Sequence, residues 1–442
     1  MFDCEAEYDL ILVSEPVGAG LQGEITPPGD KSISHRALIF SSLAAGRSEL
    51  SGLLESEDTL ATLRACEQLG AVVERGTDRI FVTGTGGDLK PPSDGLLDMG
   101  NSGTAMRLLA GVLSGQGFSS VLSGDHSLNT RPMRRIVDPL TRMGADILPM
   151  EDGTAPLTIR PSGGLTGIDY VSPVASAQIK SCVLLAGLFA SGTTSVKEPR
   201  LSRDHTERML PIFGVSLPSP CTVVGGSRLK ACRFAVPADI SSAVFALAAA
   251  AMTPGSDILV RQVGLNPTRT GFLRCLESMG AAVGITNESA QSTEPVGDIR
   301  LVYNGQLKGI DVPESVVPDM IDEMPLLMAL AATATGVTRI RGAAELRIKE
   351  SDRIAVMAAG LRSLGVELQE YPDGIDIRGG SVTGGRVASA HDHRCAMSFA
   401  ILGQVASGRI LIDDAEFIAT SYPSFTDDMR CLGATMHMED GS

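Results

Sequence analysis

The stretch Met143-Gly144-Ala145-Asp146-Ile147 decides the fold, because the chain repeats its pattern six times. In each copy an amphipathic helix ends at a glycine, and an apolar strand begins immediately afterwards. A glycine just past a helix end is typical of a position that needs positive φ for the chain to reverse. The other five copies are centred on Gly70, Gly214, Gly280, Gly365 and Gly433.

A second pattern precedes each of these turns by 22 to 29 residues. It consists of an Ala- and Leu-rich helix, a glycine, and a strand of alternating apolar residues. The repeating unit is therefore helix–strand–helix–strand, and six units with an average spacing near 72 residues fill the chain. The glycines of this second pattern are Gly46, Gly117, Gly192, Gly255, Gly336 and Gly408.

Several of the repeated helices carry no charged residue, including residues 244–252 and 326–337. A helix that is apolar on every side is buried on every side. The pattern therefore predicts helices inside and sheets outside. A solenoid of six stacked units is the alternative, although this unit is longer than usual solenoid repeats.

The composition indicates a globular protein whose 442 residues are enough for two domains. The net charge is −15, which repels phosphate backbones and anionic lipids, so we expect neither nucleic acid nor a membrane as partner. The sequence predicts a reduced, cytoplasmic protein, because its eight cysteines lack CxxC spacing, its N-terminus is acidic and it contains no long apolar run. Anionic substrates can bind to such a chain only where basic groups converge.

Basic and polar residues recur at the starts of the apolar helices. In residues 28–36 a Pro-Gly turn is followed by Lys31, Ser32 and Arg36, ahead of an apolar helix expected over residues 37–45. Free N–H groups and the positive end of the dipole make such a helix start attractive to anions. An ordinary capped helix with solvated Lys and Arg is the alternative.

Three further stretches before residue 200 follow the same rule. Residues 100–107 contain two glycines that let a ligand approach the backbone, although a plain turn is the favoured explanation of them. Pro132 restricts the backbone beside Arg131, whose planar guanidinium suits carboxylate and phosphate, whereas Arg134 and Arg135 are expected to be solvated. Ser176 begins another apolar helix, where it is a good N-cap.

The C-terminal half contributes acids as well as bases. Asp322 lies among apolar residues before an uncharged helix, where it could be a dipole partner or a buried base. Residues 347–353 alternate in sign, which usually indicates a solvated face, but Lys349 and Arg353 are four apart and can reach one anion. His393 beside Arg394 suits proton handling better than a metal site, because no third ligand motif is evident.

Taken in order, these motifs resemble the EPSP synthase (3-phosphoshikimate 1-carboxyvinyltransferase) family of enolpyruvyl transferases. The resemblance runs from about residue 20 to 435 and includes Arg203-Asp204-His205-Thr206-Glu207, typical of a bacterial branch. It implies an α/β fold, a two-domain inside-out α/β barrel of six βαβαββ-type repeats, three per domain. One domain would combine residues 1–22 with 238–442 and the other would span 23–237, with the active site in the cleft between them.

The resemblance also implies the reaction. The enolpyruvyl group of phosphoenolpyruvate would move to the 5-hydroxyl of shikimate 3-phosphate by addition and elimination through a tetrahedral intermediate. Neither a cofactor nor a metal is implied, and the protein is expected to be a monomer. Asp322 would be the base, Glu350 with Lys31 the acid pair, and His393 a further catalytic group.

Substrate contacts follow from the same resemblance. Shikimate 3-phosphate would be bound by Lys31, Ser32, Arg36, Ser176, Ala177, Gln178, Asp322 and Lys349. Phosphoenolpyruvate would be surrounded by Lys31, Asn101, Gly103, Arg131, Gln178, Arg353 and Arg394.

Two alternatives and one departure stay open at this point. UDP-N-acetylglucosamine enolpyruvyl transferase has a related architecture, but its reactive Cys is replaced here by His126. A non-catalytic binding protein on the same scaffold would not be expected to retain Asp322 and Glu350. Thr420 stands where many relatives have a phosphate-binding Lys, and Gly103 hints at sensitivity to glyphosate.

Overall fold

The computed structural model describes residues 10–291 and 294–441 and has a mixed α/β fold. Three short 3₁₀ segments span Val317–Glu323, Ala344–Ile348 and Ala415–Thr420. The helices are α1 (Lys31–Leu43), α2 (Glu57–Gln68), α3 (Gly103–Leu113), α4 (His126–Asn129), α5 (Arg134–Arg142), α6 (Ala177–Gly187), α7 (His205–Ile212), α8 (Ile240–Met252), α9 (Gly271–Ser278), α10 (Met324–Thr333), α11 (Arg353–Ser363), α12 (His393–Gly403) and α13 (Phe425–Cys431).

The strands are mostly short, between two and ten residues. They are β1 (Leu10–Glu15), β2 (Gln22–Ile25), β3 (Ala45–Ser51), β4 (Val72–Arg75), β5 (Arg79–Thr85), β6 (Leu96–Asp98), β7 (Ser120–Ser123), β8 (Asp146–Leu148), β9 (Leu157–Arg160), β10 (Leu165–Thr166), β11 (Asp169–Val171), β12 (Ala190–Ser191), β13 (Thr193–Lys197), β14 (Thr222–Val224), β15 (Arg233–Ala235), β16 (Asp257–Gly264), β17 (Ala282–Gln291), β18 (Glu294–Val302), β19 (Val337–Ile340), β20 (Glu367–Tyr371), β21 (Gly374–Arg378), β22 (Gly385–Ala388), β23 (Ile410–Asp413) and β24 (Thr435–Asp440).

The described residues divide into two compact units. The first contains the chain up to Pro28, Ala238–Ser289, and everything from Pro295 onwards. The second contains Gly29–Pro237 together with residues 290, 291 and 294. No helix in the described ranges is both long enough and apolar enough to cross a bilayer.

The first unit has three sheets, with strand orders β22-β23-β1-β24, β17-β18-β16-β2 and β19-β21-β20. Strand β2 pairs in parallel with β16, with Glu24 opposite Leu259. Every residue of α8 from Ile240 to Ala251 is buried, and so is every residue of α10 from Met324 to Ala332. The prediction that these uncharged helices are buried on all sides is therefore confirmed, but the predicted extent of the second was wrong, because α10 ends at Thr333 and Thr335 and Gly336 beyond it are exposed.

The second unit has sheets of order β15-β3-β5-β4 and β6-β7-β9-β8, and a third layer formed by β10-β12 and β11-β13-β14. Its core lies on α1, α3 and α6, for example at Phe40, Leu109 and Leu185. The backbones of helices α3 and α6 approach closely at Gly111. A Cβ placed on this glycine would lie 2.2 Å from the carbonyl oxygen of Cys182. Only glycine permits that contact between backbones.

The predicted turn glycines adopt the predicted conformation. Gly144 has a φ of 97°, and the other five turn glycines lie between 80° and 103°. Helix α1 begins earlier than the expected residue 37, because the Asp30 carboxylate accepts a hydrogen bond from the backbone N of Ile33 at 2.8 Å. This N-cap places Lys31, Ser32 and Arg36 on the first two turns of the helix.

Candidate active site

The start of α1 holds the first predicted site residues of the second unit. Lys31 Nζ lies 2.6 Å from Asp58 Oδ2, and Asp58 is buried near the start of α2. Sequence reasoning missed Asp58, since an acid in the first turn of a helix is usually a solvated dipole partner. The ion pair fixes the direction of the Lys31 side chain.

Arg36 lies one turn further along α1 and is buried. Its Nε donates to Thr206 Oγ1 at 2.8 Å, Nη2 donates to Ser181 Oγ at 2.7 Å, and Nη1 donates to the Ser32 carbonyl at 2.8 Å. Burial lowers the pKa of the guanidinium to about 10, so Arg36 is still a cation at neutral pH. These contacts use three of its five N–H groups.

Arg131 lies beside the N-terminus of α3. Its Nη2 donates to Asn101 Oδ1 at 2.6 Å, and the amide of Asn101 donates in turn to Asp125 Oδ2 at 2.7 Å. A Cβ on Gly103 would lie 3.4 Å from Arg131 Nη1 and 2.9 Å from Arg107 Nη1. The structure thus brings Asn101, Gly103 and Arg131 together.

The start of α6 is linked to the start of α3 through Gln178. Its Oε1 accepts from Arg107 Nη1 at 2.6 Å, and its Nε2 donates to Thr104 Oγ1 at 3.0 Å. Ser176 caps α6 by accepting from the backbone N of Ile179 at 3.4 Å, as predicted, and Ala177 is the first helical residue. The starts of α3 and α6 are therefore linked by side-chain hydrogen bonds.

Arg353, the first residue of α11, organises the group in the first unit. Its Nε lies 2.8 Å from Asp392 Oδ2, Nη2 lies 2.6 Å from Glu350 Oε2, and Nη1 lies 3.3 Å from Asp322 Oδ1. Burial acts to lower the pKa of this guanidinium, but the three carboxylates outweigh it and hold the pKa well above its usual value. Arg353 is a permanent cation in a buried setting.

Asp322 receives two cations on one oxygen. Lys349 Nζ lies 3.2 Å from Asp322 Oδ1, the same atom that Arg353 contacts. Lys349 and Arg353 therefore do reach one anion, and that anion is Asp322. The carboxylate is only partly exposed, at the end of the 3₁₀ segment before α10.

The N-terminus of α12 carries the last predicted site residues. Asp392 caps the helix by accepting from the Arg394 backbone N at 2.9 Å, and Arg394 Nη1 donates to the Ser241 carbonyl at 3.1 Å. His393 Nδ1 lies 3.4 Å from Thr420 Oγ1, so Thr420 lies beside a predicted catalytic group.

A model of the EPSP synthase family, described as 3-phosphoshikimate 1-carboxyvinyltransferase, matches residues 17–429. The 3-phosphoshikimate 1-carboxyvinyltransferase of Xanthomonas euvesicatoria pv. vesicatoria (strain 85-10) is 52% identical over 427 residues, which cover 96% of both chains. The chain belongs to the EPSP synthase family. The enzyme of the same name from Xanthomonas oryzae pv. oryzae (strain PXO99A) is 51% identical, again over 96% of both chains.

The fold agrees with that of this family. An EPSP synthase structure from Acinetobacter baumannii superimposes with a TM-score of 0.88 at 46% identity, and the match covers 98% of this chain and 100% of the other. A second Acinetobacter baumannii structure gives a TM-score of 0.86. The mixed α/β fold is therefore that of EPSP synthase structures.

In this EPSP synthase family member, a buried polar network lies beside the Asp322 group and was not predicted. Arg269 Nη2 donates to Asp239 Oδ1 at 3.2 Å and to Ser241 Oγ at 2.5 Å, and Ser241 in turn donates to Glu323. The only sequence signal was the position of Glu323 directly after Asp322.

Proposed function

We propose that this chain transfers the enolpyruvyl group of phosphoenolpyruvate to the 5-hydroxyl of shikimate 3-phosphate, and that the two groups of residues described above act on the same pair of substrates. The observation that carries the proposal is Asp322, a half-buried carboxylate held on one oxygen by Lys349 and Arg353. A base fixed between cations is suited to a substrate that brings both a hydroxyl and anionic groups.

Shikimate 3-phosphate is bound mainly at the starts of α1 and α6. The N–H groups and positive dipole ends of these helices favour its phosphate and carboxylate. Lys31 and Arg36 add the charges, and both have fixed directions through Asp58 and Thr206. The remaining contacts come from Ser32, Ser176, Ala177 and Gln178, with Asp322 and Lys349 on the ring hydroxyls.

Phosphoenolpyruvate is bound by guanidinium groups. Arg131 is oriented by Asn101, and the bare backbone of Gly103 leaves room beside it. Arg353 and Arg394 hold the carboxylate of phosphoenolpyruvate. Arg353 uses three of its five N–H groups on Asp392, Glu350 and Asp322, which leaves two for the ligand. Lys31 and Gln178 complete the contacts.

The chemistry then needs one proton removed and one supplied. Asp322 accepts the proton of the 5-hydroxyl while Glu350, with Lys31, protonates the methylene carbon of phosphoenolpyruvate. The oxygen adds to the resulting cationic carbon and gives a tetrahedral intermediate. Loss of phosphate and of the proton gained by the methyl carbon yields the enol ether. His393 is a further proton-handling group at this site.

We also propose the finer architecture that the repeats predict. Two domains, near residues 1–22 with 238–442 and 23–237, would each contain three βαβαββ-type units with their helices inside. Three layers of sheet in each unit and the fully buried helices α8 and α10 support this. We further propose a cytoplasmic monomer that needs no cofactor, as the family resemblance implies, and the acidic composition fits the lack of nucleic-acid or membrane partners.

Release of inorganic phosphate tests the function directly. With phosphoenolpyruvate present, we expect release that depends on shikimate 3-phosphate and none with UDP-N-acetylglucosamine as acceptor. Release only with the UDP-sugar would favour the sister enzyme, and no release with either acceptor would favour a binding protein. A ternary complex that kept Lys31 and Arg131 remote from Arg353 and Arg394 would refute the shared site.

A further inference from the structure

Lys180 is a fully buried lysine in the apolar helix α6, and the proposed chemistry does not use it. Its Nζ lies 3.0 Å from Glu198 Oε2 and 2.8 Å from Glu207 Oε1. Burial acts to lower the pKa of Lys180, but Glu207 and Glu198 outweigh it and raise the pKa above its usual value. Lys180 is therefore charged, and a buried charge of this kind is retained only with such partners.

Glu198 connects Lys180 to the start of α6. Its Oε1 accepts from the backbone N of Ser176 at 2.7 Å and from Ser202 Oγ at 2.7 Å. The carboxylate that Lys180 holds is thus the one that fixes the backbone at Ser176. A shift of Glu198 would move Ser176, the residue that caps α6 and that we propose contacts shikimate 3-phosphate.

Glu207 connects Lys180 to α7, and its neighbour Thr206 connects α7 to Arg36. Thr206 Oγ1 accepts from Arg36 Nε at 2.8 Å and lies 2.7 Å from Ser181 Oγ, next to Lys180 in the chain. Two adjacent residues of α7 therefore reach two adjacent residues of α6. One branch ends at Arg36 and the other, through Glu198, at Ser176.

We propose that Lys180 and Thr206 are positioning residues for shikimate 3-phosphate, an inference that rests on the function proposed above. Lys180, Glu198 and Glu207 fix the position of Ser176, while Thr206 fixes that of Arg36. The distance between Ser176 and Arg36, which both contact shikimate 3-phosphate in our proposal, is therefore held constant. Thr206 and Glu207 then act through Arg36 and Ser176, because Thr206 Oγ1 contacts Arg36 and Glu207 Oε1 contacts Lys180.

Calorimetric titration of shikimate 3-phosphate into the full chain tests this proposal. We expect Lys180→Met to weaken binding about tenfold or more, the effect of a lost charged hydrogen bond. The KM for phosphoenolpyruvate should change less than twofold. Thr206→Val removes only the hydrogen bond to Arg36 and should weaken binding severalfold. This second variant tests the proposal even if Lys180→Met does not fold. Lys197→Met, at an exposed neighbour of Glu198, is the matched control.

The outcomes separate the two proposals. If Lys180→Met lowers only the melting temperature, and both variants bind shikimate 3-phosphate as the unaltered protein does, the positioning role is wrong and the function stands. If both variants raise the KM for phosphoenolpyruvate as much as the Kd for shikimate 3-phosphate, the role is not specific and is again wrong. Failure of the unaltered protein to bind shikimate 3-phosphate would overturn both.

Discussion

Arg353 donates from Nε to Asp392 Oδ2 across 2.8 Å, and the two side chains are only 1% and 0% exposed. Asp392 is also the N-cap of α12, where its other oxygen accepts from the Arg394 backbone N. One buried carboxylate therefore joins the starts of α11 and α12 and fixes two arginines of the proposed phosphoenolpyruvate site.

Asp392→Asn should destabilise the fold strongly. The change removes the charge nearest Arg353 Nε in a buried place, and breaking a buried ion pair costs about 3 kcal/mol or more. Urea unfolding would measure the loss. Asp413→Asn is the control, since its partner Arg386 is mostly exposed, and it should cost less than about 1 kcal/mol. Equal losses in the two variants would show that burial does not set the strength of the Arg353 pair.

Asp322→Asn should fold normally and lose most of its turnover. The amide keeps the shape of the carboxylate but cannot accept the hydroxyl proton, so we expect kcat to fall at least about 100-fold. Phosphate release at saturating substrates measures this. Asp319→Asn, in the same 3₁₀ segment and paired with the half-exposed Arg274, should leave kcat within twofold. Turnover near normal in Asp322→Asn would remove Asp322 as the base.

The sequence predicted those features that depend on neighbours in the chain. The positive φ of Gly144, the burial of α8 and the cap at Ser176 each follow from residues within a few positions. Helix propensity, capping and periodicity are local properties, so a single sequence carries them.

Buried ion pairs were less visible, because most of their partners come from distant segments. Arg353 belongs to a run of alternating charges that usually indicates a solvated face, yet it is buried. It pairs with Glu350 in that run and with Asp322 and Asp392, which are 31 and 39 residues away. Lys180 meets Glu198 and Glu207, which follow it by 18 and 27 residues. Spacing along the chain does not indicate which charges the fold will pair.

Gly103→Ala should impair phosphoenolpyruvate binding selectively. The new Cβ would lie 2.9 Å from Arg107 Nη1, so that guanidinium must shift, and 3.4 Å from Arg131 Nη1, in direct contact with it. Because alanine favours the first turn of a helix, stability should not fall. We expect the KM for phosphoenolpyruvate to rise about tenfold, with the KM for shikimate 3-phosphate changed less than threefold. Gly117→Ala, where nothing lies within 4 Å, should change neither. A parallel rise in both constants would place Gly103 outside the phosphoenolpyruvate subsite.

His35 should make the protein sensitive to acid. Burial, and then the positive charges of Lys31 and Arg36, hold the pKa of this imidazole well below its usual value near 6.5. Its Nδ1 lies 2.7 Å from Thr62 Oγ1. As the pH falls below about 6.5 the unfolded chain takes up a proton that the folded chain refuses, so the free energy of unfolding falls with decreasing pH.

His35→Gln removes that titration. Whatever its stability at pH 7, the variant should gain about 1 kcal/mol relative to the unaltered protein when both are compared at pH 5.5. Urea unfolding at a series of pH values measures the difference in free energy of unfolding between the two proteins. The titration of the carboxylates that both proteins share cancels in this difference. His437→Gln, at an exposed histidine of β24, should show no such change with pH. If the difference in free energy of unfolding between His35→Gln and the unaltered protein is also constant between pH 7 and 5.5, then His35 takes up a proton as readily in the folded protein as in the unfolded chain. The folded protein would then have to tolerate three adjacent cations at the start of α1.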